Sequence, residues 1–414
     1  MDYGSVAVSR VEAGLERSYC EVCGNVARFC RLMRCPFYRH VVDELRDLIS
    51  SSRSSVFGPT PPAMLVGERG YPRVIAGPAV SVAPEPLVGP DPREWLGRSL
   101  EELLASRLSL VMGRKWVDAR RPLSERTVQE LVEAELSIRP VDIELSYEGS
   151  IVHRPGFFAR SMPHGPSVSL KSARVVGNPR IPRKVEEVIE GEMRAEQAAI
   201  ELAESGLDQQ YVTRALSIGA LGSPARRRLV PTEWSITAVD DILSRPLLRR
   251  VRRYQTLNEV RLHSFSALHN SAHVLLLPTA WAFELLEGWL KFPEDSPYAD
   301  HELHFGRTDY AENTGGAYYA VRLAVLQHLE SERRQAGAVV FFEVGRGWIP
   351  LGVWRFREVT AAALESPPER FQTLEEALER IRPRLELPLE RYLARSAVIR
   401  MLVAQGTLTG SRTL

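Results

Sequence analysis

The chain has 414 residues, with 53 basic and 52 acidic side chains and a formal net charge of +1. Its apolar fraction of 44% supports a sizeable core and excludes a disordered chain; near neutrality means that affinity for nucleic acid must come from local patches. No stretch approaches the roughly 18 apolar residues of a membrane helix and no secretory signal opens the chain, so a cytoplasmic protein with no membrane partner is expected.

All four cysteines fall early, as Cys20-x2-Cys23-x6-Cys30-x4-Cys35, and the rest of the chain has none. A disulfide framework spreads its crosslinks through the fold, whereas a CxxC turn with Gly24 behind it aims two thiolates at one point. Two further thiolates complete a closed tetrahedral shell, the arrangement of structural zinc. His40 stands nearby as a substitute ligand. Helical spacing follows in 37–49, then a Ser/Gly/Pro-rich linker.

Strands are expected at 63–66 and 73–76, and a helix at 100–110. Gly113-Arg114-Lys115-Trp116 comes next. Cations flanking a tryptophan can hold a phosphate and stack on a base; the alternative is a surface turn with the tryptophan buried. A strand is expected at 141–147, a turn at Pro163-His164-Gly165-Pro166, one long amphipathic helix at 182–204 and another at 209–219.

Arg226 and Arg227 open a basic run ahead of a strand-like segment that ends in Asp240 and Asp241. Paired carboxylates at an element boundary cap the next helix or hold a divalent cation. Arg249, Arg252 and Arg253 share a face if helical, a ridge suited to phosphates. Five of the nine histidines then crowd into 263–304: His263, His269, His273, His301 and His304. A strand at 273–277 is expected to lead into a helix carrying Phe283, Leu285, Leu286 and Trp289. The spacing His269/His273 and His301/His304 can place two imidazoles on one metal if helical. A helix from Ala317 to about Arg334 precedes strands at 338–344 and 348–356. Glu343 interrupts an apolar strand and needs a partner or a task. The remainder reads as helical to 403, followed by a polar tail.

The fold expected is α+β, with mixed sheets, flanking helices and a small N-terminal four-cysteine zinc module. The division is 1–50 for the zinc module and its helix, 51–260 for an α/β region with the basic candidates, 261–403 for an α/β core with the histidine-rich site, and 404–414 for a flexible tail.

Several stretches together resemble the archaeal Nre family of DNA repair proteins. They are the cysteine cluster, Gly113-Arg114-Lys115, Pro163-His164-Gly165-Pro166, the run from Leu229 through Pro231, Trp234 and Asp240-Asp241, His269-Asn270, Leu277-Pro278-Thr279 and Gly352-Val353-Trp354. Glu233 departs from the pattern, where the resemblance leads one to expect arginine. The resemblance implies DNA repair, zinc on Cys20, Cys23, Cys30 and Cys35, and binding to the sliding clamp through a C-terminal peptide. Gln405 and Leu408 match the first two anchors of that peptide, but Ser411 and Arg412 stand where aromatic residues belong. Two functions follow as expectations. One is a repair protein that contacts DNA through Arg114, Lys115, Arg226, Arg227, Arg249, Arg252 and Arg253. The other is a metal-dependent enzyme acting on DNA or nucleotides through His269, His273, His301 and His304 with Glu343 or Asp240.

Overall fold

The computed structural model describes residues 54–61, 64–82, 91–122, 126–152, 156–158, 161–290, 292–347 and 352–408. The four cysteines and the expected helix at 37–49 lie outside them. Among the described residues the chain divides at Leu243/Ser244 into two compact units, with Gly352 belonging to the first. No described helix is long and apolar enough to cross a membrane.

The first unit is built on β1 (Ser55–Thr60), β2 (Leu65–Val66), β3 (Arg73–Gly77), β4 (Ala79–Ser81), β5 (Leu110–Asp118), β6 (Val141–Val152) and β9 (Ser167–Val175). The short pair β7 (Gly156–Phe158) and β8 (Ser161–His164) stands apart. Order in the sheet is β1-β6-β9-β5-β3-β2, with β4 also on β5; β5 and β9 run parallel and the other pairs antiparallel. Period-two alternation sends Val74, Val117, Leu145, Val168 and Leu170 inward. The helix Arg126–Glu135 packs on β9 and buries Val128 and Leu131. Further on come helices Arg183–Glu190, Ala195–Glu204 and Gln209–Ser217. The single helix expected at 182–204 is therefore two, since the chain turns extended at Gly191 and starts afresh behind Arg194.

The strand expected between Arg226 and Asp241 is instead the start of a 20-residue helix, Thr232–Val251. Its β-branched residues favour strand locally, but Ser235, Val239 and Leu243 form a buried i, i+4 stripe, and tertiary packing overrides the preference. Asp240 and Asp241 lie inside this helix and do not cap one.

The second unit holds β10 (Val260–Ala267), β11 (Asn270–Leu277), β12 (Ala282–Trp289), β13 (Tyr298–Glu302), β14 (Gly337–Val344) and β15 (Glu369–Phe371), in the order β13-β12-β14-β11-β10-β15. Only β12 and β14 pair in parallel, and the helix Gly316–Glu332 lies between them in sequence, as a parallel crossover requires. That helix and Trp354–Glu365 cover one face, where Phe283 meets Tyr318 and Phe342 meets Phe356. The other face carries Leu286, Val339 and Phe341 against Tyr392, Val398 and Ile399 of helices Leu389–Arg395 and Ala397–Leu408.

Covering both faces explains a second correction. β12 is buried at every position, so Phe283 to Trp289 has no polar side to alternate with, and Glu284 and Glu287 mimic the polar stripe of a helix. Of the strand expected at 348–356, residues 348–351 lie outside the described residues and the last part is instead the start of a helix at Trp354. At the C-terminus the final helix runs on to Leu408, so Gln405 and Leu408 are helical and not part of an extended tail.

Candidate nucleic-acid interface and the histidine region

The outward face of the first sheet is unusual for its aromatic content. Arg114, Trp116 and Asp118 alternate outward on β5, and Lys171 projects from neighbouring β9. Trp116 is 52% exposed, which overturns the buried-tryptophan turn, and Arg73 on β3 stands over its ring at 5.8 Å. Alternation separates the two cations of the Arg114-Lys115 pair. Lys115 points to the other side, its Nζ donating to Thr127 Oγ1 at 3.2 Å, so Arg114 alone faces outward.

The β2–β3 turn extends this surface. Gly70, with φ of +83°, comes so near Trp116 that a methyl group there would meet Cζ3 at 3.6 Å. Tyr71 follows and packs on Trp234, with ring centroids 5.4 Å apart and planes tilted by 43°. Two bonds hold the helix start against the turn: Val66 N–H donates to Thr232 Oγ1 at 3.0 Å, and Trp234 Nε1–H donates to Glu68 at 3.2 Å.

The other basic candidates divide by environment. Arg226 is exposed in the 3-10 turn Pro224–Arg226. Arg227 is half-buried, its guanidinium bonded to the carbonyls of Gly222 and Ile189, which makes it a structural brace. In the second unit Arg249 and Arg253 are exposed, while Arg252 turns inward. Burial lowers the Arg252 pKa, opposed by the Glu302 carboxylate and assisted by Arg322. The three-arginine ridge reduces to Arg249 and Arg253.

The histidines do not converge. His273 lies on β11 and His301 on β13, three strand steps apart. At roughly 4.8 Å per step that is roughly 14 Å, too far for one metal. His273 is buried, its Nδ1 2.9 Å from Ser264 Oγ. His269 occupies the β10–β11 turn at φ of 57° beside Gly345, whose N–H donates to its carbonyl at 2.7 Å. His301 and His304 are exposed. His263 sits with Nδ1 2.9 Å from Ser366 O and its ring edge-on to His328. Among the described residues no group of three or more His, Cys, Asp or Glu side chains could hold a metal ion.

The carboxylate candidates have structural tasks. Glu343 accepts from the N–H groups of Glu386 and Leu387, each at 2.9 Å at its nearest, and from Tyr392 Oη at 2.9 Å. Asp240 is buried and accepts from Gln209 Nε2 at 2.6 Å. Glu284, opposite His301 in register, accepts from Ala397 N–H at 2.6 Å and from the Ser396 hydroxyl at the head of the last helix. Burial pushes the Glu284 and Glu343 carboxyls above the ordinary range, and their hydrogen bonds oppose this.

Asp300 and Glu302, which the sequence offers as oxygen ligands beside the histidines, instead form a second buried network on the opposite face. Asp300 accepts from Thr314 N–H at 2.7 Å and Asn313 N–H at 2.9 Å, and pairs with Arg307 at 3.0 Å. Glu302 accepts from Trp281 Nε1–H at 2.8 Å and pairs with Arg322 at 3.0 Å. Carboxylates two apart on a strand were the available signal, because such positions share a face. Arg322 and Thr314 fasten β13 to the helix Gly316–Glu332 and to the turn ahead of it.

The family model described as Archaeal Nre, N-terminal, matches residues 29–293, and that described as Archaeal Nre, C-terminal, matches residues 302–410. DNA repair protein NreA of Archaeoglobus fulgidus is 34% identical over 369 residues, 86% of this chain and 91% of the relative. DNA repair protein NreB of the same organism is 32% identical, covering 90% and 94% respectively. DNA repair protein NreA of Haloferax volcanii is 32% identical over 81% and 84%. No solved structure matches the chain.

Proposed function

The chain belongs to the archaeal Nre family, and from that premise we propose that it acts in DNA repair by binding DNA. The observation that carries this is the outward face of the first sheet, where Arg73 lies over an exposed tryptophan and Arg114 stands two residues from it on the same strand, with Lys171 exposed on the neighbouring strand. Arg114 and Lys171 have no ion pair among the described residues, so both are open to phosphate. Arg226, Arg249 and Arg253 add exposed cations elsewhere. Cys20, Cys23, Cys30 and Cys35 hold a structural zinc, a reading that rests on four soft thiolates at closed-site spacing. Gln405 and Leu408 make a weak clamp contact at most, since aromatic side chains fill most of such a pocket.

The test is a salt titration of DNA affinity with the full chain. Each phosphate contact contributes about 0.9 to the slope of log affinity against log salt, so Arg114→Ala should flatten it by about one. Arg249→Ala with Arg253→Ala tests the other patch in the same way. A slope unchanged in both variants removes these residues from the interface.

A further inference from the structure

We infer that the aromatic surface of the first unit, Trp116 with Tyr71 and Trp234, stacks the bases of single-stranded DNA, which deepens the DNA-binding reading above and rests on it. Large apolar rings on the open face of a sheet usually mark an interaction site, because leaving them in water forgoes the free energy of burial. Here the three are contiguous: Trp116 borders Gly70, Tyr71 is the next residue, and Tyr71 packs on Trp234. Exposures of 52%, 36% and 47% leave ring surface available on each. The turn fixes them in place through the Thr232 and Glu68 hydrogen bonds, so little side-chain entropy is lost on binding.

Charge decides the kind of occupant. Arg73 lies over Trp116, and Arg114 alternates outward beside it on the same strand. The neighbouring carboxylates are partly engaged: Asp118 accepts from Arg120 N–H at 2.9 Å, Glu68 accepts from Trp234, and Glu144 pairs with Arg174 at 2.9 Å. An anionic chain with flat apolar groups fits this surface, its phosphates on Arg73 and Arg114 and its bases on the rings. A duplex fits it poorly. Bases already stacked in a helix offer no free face, and a net charge of +1 supplies little general attraction to the denser duplex backbone. Stacking reads no base identity, so the preference is for strandedness and not for sequence.

The experiment measures fluorescence anisotropy of the full-length protein with labelled oligothymidylate of about 15 nucleotides and with a duplex of equal length. Single strand should bind about tenfold tighter than duplex or better, and quench tryptophan emission. Trp116→Ala and Trp234→Ala should each weaken single-strand binding about tenfold, with circular dichroism checking that each variant stays folded. Trp116→Tyr keeps a stacking face and should restore most of the affinity. Equal affinity for the two DNAs, or single-strand affinity unchanged in the folded double alanine variant, overturns the inference while leaving DNA binding intact. Binding to neither DNA sinks the DNA-binding reading itself.

Discussion

His273 shows how one buried side chain sets a response to pH. Burial on β11, with the Arg384 guanidinium adding to it, pulls its pKa from the ordinary imidazole value near 6.5 down to about 4. The folded protein therefore holds this ring neutral where the unfolded chain takes up a proton. The stability it contributes is complete above pH about 6.5 and drains away as pH falls toward 4. His263 and His328 shift downward for the same reason, burial, and act in the same direction. Glu284 and Glu343 shift upward and oppose them, since a neutral buried carboxyl favours the folded state at low pH. His273→Asn isolates the imidazole. Urea midpoints at pH 7 and pH 5 should differ less in the variant than in the native protein; an equal drop in both would exclude His273 from the response.

At the scale of elements, the C-terminal helices hang on two carboxylates projecting from the second sheet. Glu343 takes up the N–H groups just ahead of Leu389–Arg395, and Glu284 those at the start of Ala397–Leu408. Unbonded donors at a helix start carry partial positive charge, so an anion there both accepts and stabilises. β12 allows the approach because it has no side chain at Gly288, where a methyl group would stand 2.1 Å from Tyr392 Oη. Glu343→Ala leaves two backbone N–H groups and the Tyr392 hydroxyl without their acceptor and should cost about 3 kcal/mol. The loss should appear as a lower urea midpoint and as faster hydrogen exchange across residues 386–399. An unchanged midpoint would show that the carboxylate is dispensable. Sequence pointed to Glu343 as a residue in need of a partner, but the partner lies 44 residues away at Leu387 and belongs to another element. No local pattern carries that pairing.

For the whole molecule, the cysteine cluster is the feature most open to a direct count. Atomic emission on the purified full chain should find about one zinc per chain, lost in Cys20→Ser with Cys23→Ser. The same variant should also lower the melting temperature, because a structural site contributes its binding free energy to folding. Native protein free of zinc would end that reading. The sequence by itself determined the α+β class, the strands beginning at Arg73 and Val141, and the family. These depend on composition, short motifs and alternation in strands with one wet face. Only the tertiary structure decided that β12 is a strand, that Thr232–Val251 is one helix, that Arg114 faces outward while Lys115 does not, and that Tyr71 and Trp234 join Trp116. A strand buried on both faces carries no period to read, and neighbours on a surface are set by pairing between segments far apart in the chain.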